Sequence, residues 1–174
     1  MKKFVLLSSI WIAGTQGVAM AQTIPAAQIS ATARLEASKL DGPRQLEQQT
    51  AAAAIRDYLE SWQSLHSALE QNQPELLDRD FVGTARDKLA GTIQEQSRLG
   101  VKTSYQDRQH DLKIAFYSPD GLSIELTDDA EYDVQVTDHD KVQFSKHEHA
   151  RYVVVLTPSE LRWRVRVFEA TPEP

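Results

Sequence analysis

The chain has 174 residues, with 25 acidic against 19 basic side chains, a net charge of −6 and no Cys. An acidic balance argues against a free nucleic-acid binder, which would carry the opposite sign. The lack of Cys excludes disulfides, thiolate metal sites, a Cys nucleophile and a lipidated N-terminal Cys, while the length allows one domain with a real core and a short lead-in.

Lys2 and Lys3 precede an apolar stretch from Phe4 to Ala13, and Ala19-Met20-Ala21 forms a small-x-small cleavage site before Gln22. Residues 1–21 therefore read as a secretory signal peptide. The apolar stretch is about half of the ~20 residues that span a bilayer, so no stable membrane anchor is expected. Lys2 and Lys3 are the only charges in this segment, which leaves 17 basic and 25 acidic residues, a net −8, in a chain expected to be periplasmic or secreted.

Residues 22–50 are rich in Ala, Gln, Ser and Thr and broken by Gly42-Pro43. They read as a flexible lead-in or tether, with one weak helix over 29–40. Ala51, Ile55, Tyr58, Trp62, Leu65 and Leu69 then recur in steps of three and four. That spacing predicts an amphipathic helix whose wet face carries Arg56, Asp57, Glu60, Gln63 and Ser67. Asn72-Gln73-Pro74 ends it. Leu76, Leu77 and Phe81 predict a short helical piece, and Ala85, Leu89 and Ile93 another helix that stops at Leu99-Gly100.

After about residue 110 the period changes to two. Leu112, Ile114 and Phe116 predict a strand, and Pro119-Asp120-Gly121 a turn. A second strand runs through Leu126, Ala130, Tyr132 and Val136, with Asp128-Asp129 read as a bend or bulge. Thr137 to Lys141 turns into a long strand over 142–156, and Leu161, Trp163, Val165 and Val167 complete a last one. Pairing Val136 with Phe144, and Leu156 with Leu161, keeps the apolar residues on one face. That face then holds Ile124, Val134, Phe144, Tyr152, Val154, Trp163 and Val165. The pattern is an α+β domain: N-terminal helices packed on a four-stranded antiparallel sheet over 51–170, with a tail at 171–174.

The helix with Ala54-Ile55 and Tyr58 through Trp62, the Leu76-Leu77 segment, the helix at 84–98 and the strand Leu161-Arg162-Trp163-Arg164-Val165 together resemble the nuclear-transport-factor-2-like superfamily. The resemblance covers about residues 50–170. It is greatest to the mitochondrial inner-membrane import and plastid-division type domains. It implies a strongly curved, cone-like sheet around the helices. The superfamily holds isomerases, dehydratases, cyclases and noncatalytic binding domains, and this chain carries no complete catalytic set of any enzyme branch.

Three constellations stand out. His147 and His149 share a strand face, with Asp133 and Glu131 opposite them in the expected register and Asp138 and His139 at the nearby turn. Two imidazoles and two carboxylates could bind a cation such as Zn²⁺; the plainer reading is a solvated face of cross-strand acid–His pairs. Arg151, Arg162, Arg164 and Arg166 share an outward face with Val153 and Val155, a candidate surface for a protein partner or a second copy. Inside the cone, Tyr132 faces Glu148 beside Lys146, and Trp62 and His66 lie one turn apart on the first helix. These four, Trp62, His66, Tyr132 and Glu148, are the candidate small-molecule site. The expected function is an exported noncatalytic binding or protein-interaction module, with no cofactor. The alternative is an isomerase, dehydratase or cyclase with Glu148 or His66 as acid/base and Tyr132 as oxyanion donor.

Overall fold

The computed structural model describes residues 32–36 and 44–171. The expected signal peptide at 1–21, most of the lead-in and residues 172–174 lie outside them.

The three–four spacing of the first apolar stripe produces α1, Gln48–Gln71, which buries Ala54, Tyr58, Trp62, Leu65, Ala68 and Leu69. Asn72 stops it in the left-handed conformation (φ 55°) and donates its amide to the Val101 carbonyl at 2.9 Å. A single 3-10 turn, Pro74–Leu77, leads into α2, Gly83–Leu99, which ends at Gly100 with φ 73°. That left-handed cap is where glycine costs least. Gln96 of α2 donates to the Leu69 carbonyl and to Asn72 Oδ1, tying the ends of the two helices together.

The sheet has five strands in sequential order: β1 Thr32–Glu36, β2 Val101–Tyr117, β3 Ile124–Asp138, β4 Lys141–Pro158 and β5 Trp163–Thr171. β2 to β5 form the expected antiparallel meander and curve around the helices. The fifth strand is β1, which pairs in parallel with β2. Residues 32–36 are thus extended where a weak helix was expected, because the edge of β2 offers them a ladder. β2 starts nine residues before the expected change of period, at Val101. His139 and Asp140, with φ 46° and 63°, form the tight turn between β3 and β4. Such a turn matches the twist of the flanking strands.

Registers of β3 with β4 are as expected: Val136 faces Phe144, Asp133 faces His147 and Glu131 faces His149. The β4–β5 register is not. Leu156 faces Val165 instead of Leu161, and Val154 faces Phe168 instead of Trp163. The loop is wider because Ser159 closes it on the Arg162 carbonyl through both its N–H and its hydroxyl, each at 2.8 Å. A bulge then shifts the pairing between Val155 and Leu156, and Arg166 is the extra residue. Leu161, expected inward, is consequently 93% exposed, and Phe144 is about half exposed.

Asp57, assigned to the wet face of α1, is buried and accepts the Trp163 N–H at 2.8 Å, which pins the helix to β5. The other edge of β5 is held by the α1–α2 connection: Val165 N–H donates to the Asp80 carbonyl and Val82 N–H to the Val165 carbonyl. The core thus lies between α1, α2 and the inward face of β2–β5, around Tyr58, Leu77, Phe81, Ile93, Leu112, Leu126 and Leu156. Replacing fully buried Leu126 by Ala should cost about 2–5 kcal/mol. The same change at exposed Leu161 should stay within about 0.5 kcal/mol. Urea unfolding of the two variants measures the contrast.

Candidate functional site

Three residues of α1 at four-residue spacing, Tyr58, Trp62 and His66, look into the concave sheet. β2 answers with Tyr105, Asp107 and His110. An odd separation of three would normally send Asp107 and His110 to opposite faces. The bulge between Asp107 and Gln109 restores the phase, so both point inward. β3 supplies Asp128 and Tyr132. The alternation Leu126, Asp128, Ala130 continues unbroken, so Asp128 is a core residue of a regular strand and not a bend.

Asp128 is 0% exposed and bridges two elements: its Oδ2 accepts Tyr58 Oη–H at 2.6 Å and lies 2.8 Å from His110 Nδ1. His110 Nε2 lies 3.8 Å from Asp107, whose other oxygen is 3.3 Å from His66 Nε2. Burial alone would push the His110 imidazole down. The bonds to Asp107 and Asp128 outweigh that and bring it to about 9, so His110 is a buried cation at neutral pH. Burial lowers His66, against a weaker opposing pull from Asp107. The two imidazoles are therefore driven to opposite charge states. Burial and the Asp128 charge raise the Tyr58 hydroxyl well above its ordinary value.

Of the four expected ligand residues, three meet. The Trp62 ring lies 5.7 Å from His66 and 6.0 Å from Tyr132. Trp62 is also ringed by His110 at 5.0 Å, Tyr152 at 5.4 Å and Phe168 at 5.5 Å, and is itself 2% exposed. His66 stacks on Tyr105 at 5.3 Å, and the Tyr132 and Tyr152 hydroxyls bond at 2.8 Å. Burial raises Tyr105 to about 12, with Tyr132 and Glu148 adding to it. Glu148 stands apart at the rim. It is opposite Tyr132 in the ladder but paired to Lys146 at 2.8 Å and partly in water. Asp107, His110 and Tyr105 escaped the sequence reading, which took Tyr58 only as part of the apolar stripe of α1 and Asp128 as a bend. The inward phase of Asp128 is the signal that could have found them.

The Arg set is divided. Arg162 turns back onto buried Asp80 and onto Glu60, 3.2 Å away. Burial would raise the Asp80 carboxyl, but bonds from Ser64, Arg79 and Arg162 bring it below its ordinary value. Arg164 donates to the carbonyls of Asp78 and Phe81. Arg151 stays on the outward face, bonded to Asp129, and Arg166 is exposed at the bulge. In the His cluster, His147 reaches Asp133 at 2.9 Å and Glu131 at 3.0 Å, and Arg108 Nε donates to Asp133 at 2.9 Å. No group of three or more His, Asp or Glu among the described residues is arranged to hold a metal ion. Two clefts flank Arg79, one of about 420 Å³ between α1 and the 3-10 turn and one of about 340 Å³ against the β4–β5 loop; none of the four expected ligand residues lines them.

The architecture is that of a nuclear-transport-factor-2-like fold. The chain is similar to the intermembrane-space region of the chloroplast protein ARC6, at 13% identity and a TM-score of 0.59 over 75% of this chain and all of that one. It is similar also to a putative scytalone dehydratase from Novosphingobium aromaticivorans, at 15% identity and TM-score 0.51 over 72% and 89%. A putative dehydratase of the NTF2-like family from Streptomyces avermitilis matches at 9% identity and TM-score 0.46 over 71% and 99%. No protein-family model matches the chain, and no curated protein matches it in sequence. No described helix is long and apolar enough to cross a membrane.

The raised pKa of His110 carries a sign. Its stabilising contribution is full below the unfolded value near 6.5 and is lost as pH rises through about 9. Denaturant unfolding should therefore show stability falling by roughly 3 kcal/mol across that window. A His110→Gln variant should be weaker at pH 6 and show a flatter profile.

Proposed function

We propose that the chain is an exported, noncatalytic protein-interaction module whose partner docks on the outward face of β4 and β5. The filling of the cone carries this reading. Trp62, with five rings centred 5.0–6.0 Å away, gives the inside of the sheet to packing. The outward face sets Val155 beside Val167, with Glu125 on its other side, and Val153 between Thr127 and Glu169. Phe116 on β2, 44% exposed, stands on the far side of Glu125 from Val155. Arg151, bonded to Asp129, forms part of its polar rim. An apolar centre with a polar rim is the usual anatomy of a protein interface. Of the expected partner residues, Val153 and Val155 lie on this surface and Arg151 on its rim; Arg162 and Arg164 hold the α1–α2 connection, and Arg166 lies against the start of α2. The segment 1–21 supports export, hence a periplasmic or secreted site of action.

A second reading, an acid–base enzyme of the isomerase, dehydratase or cyclase kind, is favoured by the His66–Asp107 pair. Both side chains retain some exposure, 14% and 16%. In that reading neutral His66 is the base, and Glu148, tied to Lys146, is not.

A photo-crosslinking residue placed at Val155 in the producing cell separates the two. The module reading expects a discrete protein adduct from position 155, abolished by Val167→Lys, and none from Asp140 at the far turn between β3 and β4. Equal yields from both positions, or none from 155, would contradict it.

A further inference from the structure

The cleft of about 340 Å³ against the β4–β5 loop is lined by three guanidinium groups, those of Arg79, Arg162 and Arg164, and by the exposed Leu161. Two of the three cations have counter-ions. Arg79 Nε donates to Asp80 at 2.9 Å, and Arg162 reaches both Asp80 and Glu60. Arg164 is different. Its Nη2 donates twice, to the carbonyls of Asp78 and Phe81, and both acceptors are neutral. Its Nε is buried and donates to nothing. Among the described residues Arg164 makes no ion pair. The acids of the cleft do not answer it: Asp78 is taken by Arg86 at 2.9 Å, and Glu160 is exposed and pairs with no described cation.

A charge taken partly out of water is costly unless it is paired. Arg164 is half-buried, held in one place by two carbonyls and still without a counter-ion. A guanidinium fixed in this way is preorganised for a carboxylate. The chain as a whole is acidic, net −6, so the bare cation is a local feature and not part of a general basicity.

The cleft adjoins the outward face of β4 and β5. Val155 and Thr157 share one side of β4, and the ladder sets Val155 beside Val167 and Thr157 beside Arg164. A partner lying on the valine pair therefore meets the Arg164 row about 6–7 Å further along the strand. We infer that the partner of the outward face is recognised through a carboxylate, an Asp or Glu side chain that enters the cleft and takes Arg164 as its counter-ion. The inference rests on the module reading above and gives the partner its chemistry.

The test keeps the photo-crosslinking residue at Val155 and varies Leu161, whose exposure lets it change without disturbing the core. Leu161→Glu places a like charge beside the incoming carboxylate, Leu161→Gln a polar group without charge, and Leu161→Lys the opposite charge. The adduct yield with Glu should fall roughly tenfold below that with Gln, and the yield with Lys should equal or exceed it. Arg164→Gln, checked for folding by circular dichroism, should fall as far as Leu161→Glu. Equal yields from the Glu and Gln variants, an equal fall with Lys, or a folded Arg164→Gln of full yield would overturn the carboxylate and leave the module reading in place. Absence of an adduct from position 155 in the otherwise unchanged chain would overturn both.

Discussion

Asp128 sits at an inward position of β3, fully buried between Leu126 and Ala130, and three elements are arranged around its charge. A carboxylate buried without partners costs several kcal/mol. Tyr58 of α1 and His110 of β2 supply the donors. Tyr58 sets how α1 is rotated over the sheet, which in turn delivers Trp62 and His66 to the concave side. His110 can answer only because the bulge at Arg108 restores its phase. The cation so created draws in Asp107, and Asp107 meets His66. A single polar residue in an apolar alternation thus propagates from β3 to β2 and out to the mouth of the cone.

A second polar centre fixes the opposite side. Asp80 is buried and bonded by Ser64, Arg79 and Arg162, and Asp57 holds the Trp163 N–H. These contacts, with those of Arg164 to the Asp78 and Phe81 carbonyls, spend Arg162 and Arg164 on joining the α1–α2 connection to the sheet. Positively charged side chains that read as a docking stripe are therefore partly internal fasteners. What the fold leaves open is the valine pair on the outward face.

The periodic parts were legible in the sequence. α1, α2, the meander and the β3–β4 register follow from apolar spacing and from the turn at Thr137–Lys141, since one face must be buried and a slip of one residue would reverse it. The illegible parts are those where a single residue breaks phase. The bulge at Arg108 hid Asp107 and His110, and the bulge at Arg166 with the Ser159 closure displaced the β4–β5 register. Asp128 was read by its charge and not by its position in the alternation. β1 was out of reach because five polar-rich residues gain their conformation from a strand more than seventy positions away. The sequence reading placed Trp62, His66 and Tyr132 near one another, as the ring distances do, but not the network that orders them.

The most direct measurement is a ¹H–¹⁵N NMR titration of the His110 imidazole in the folded chain. The account predicts that both ring nitrogens remain protonated at pH 8 and that the ring titrates near 9. A His110 that is neutral at pH 8, titrating near 6.5, would contradict the buried Asp128–His110–Asp107 network and the arrangement of the cone built on it.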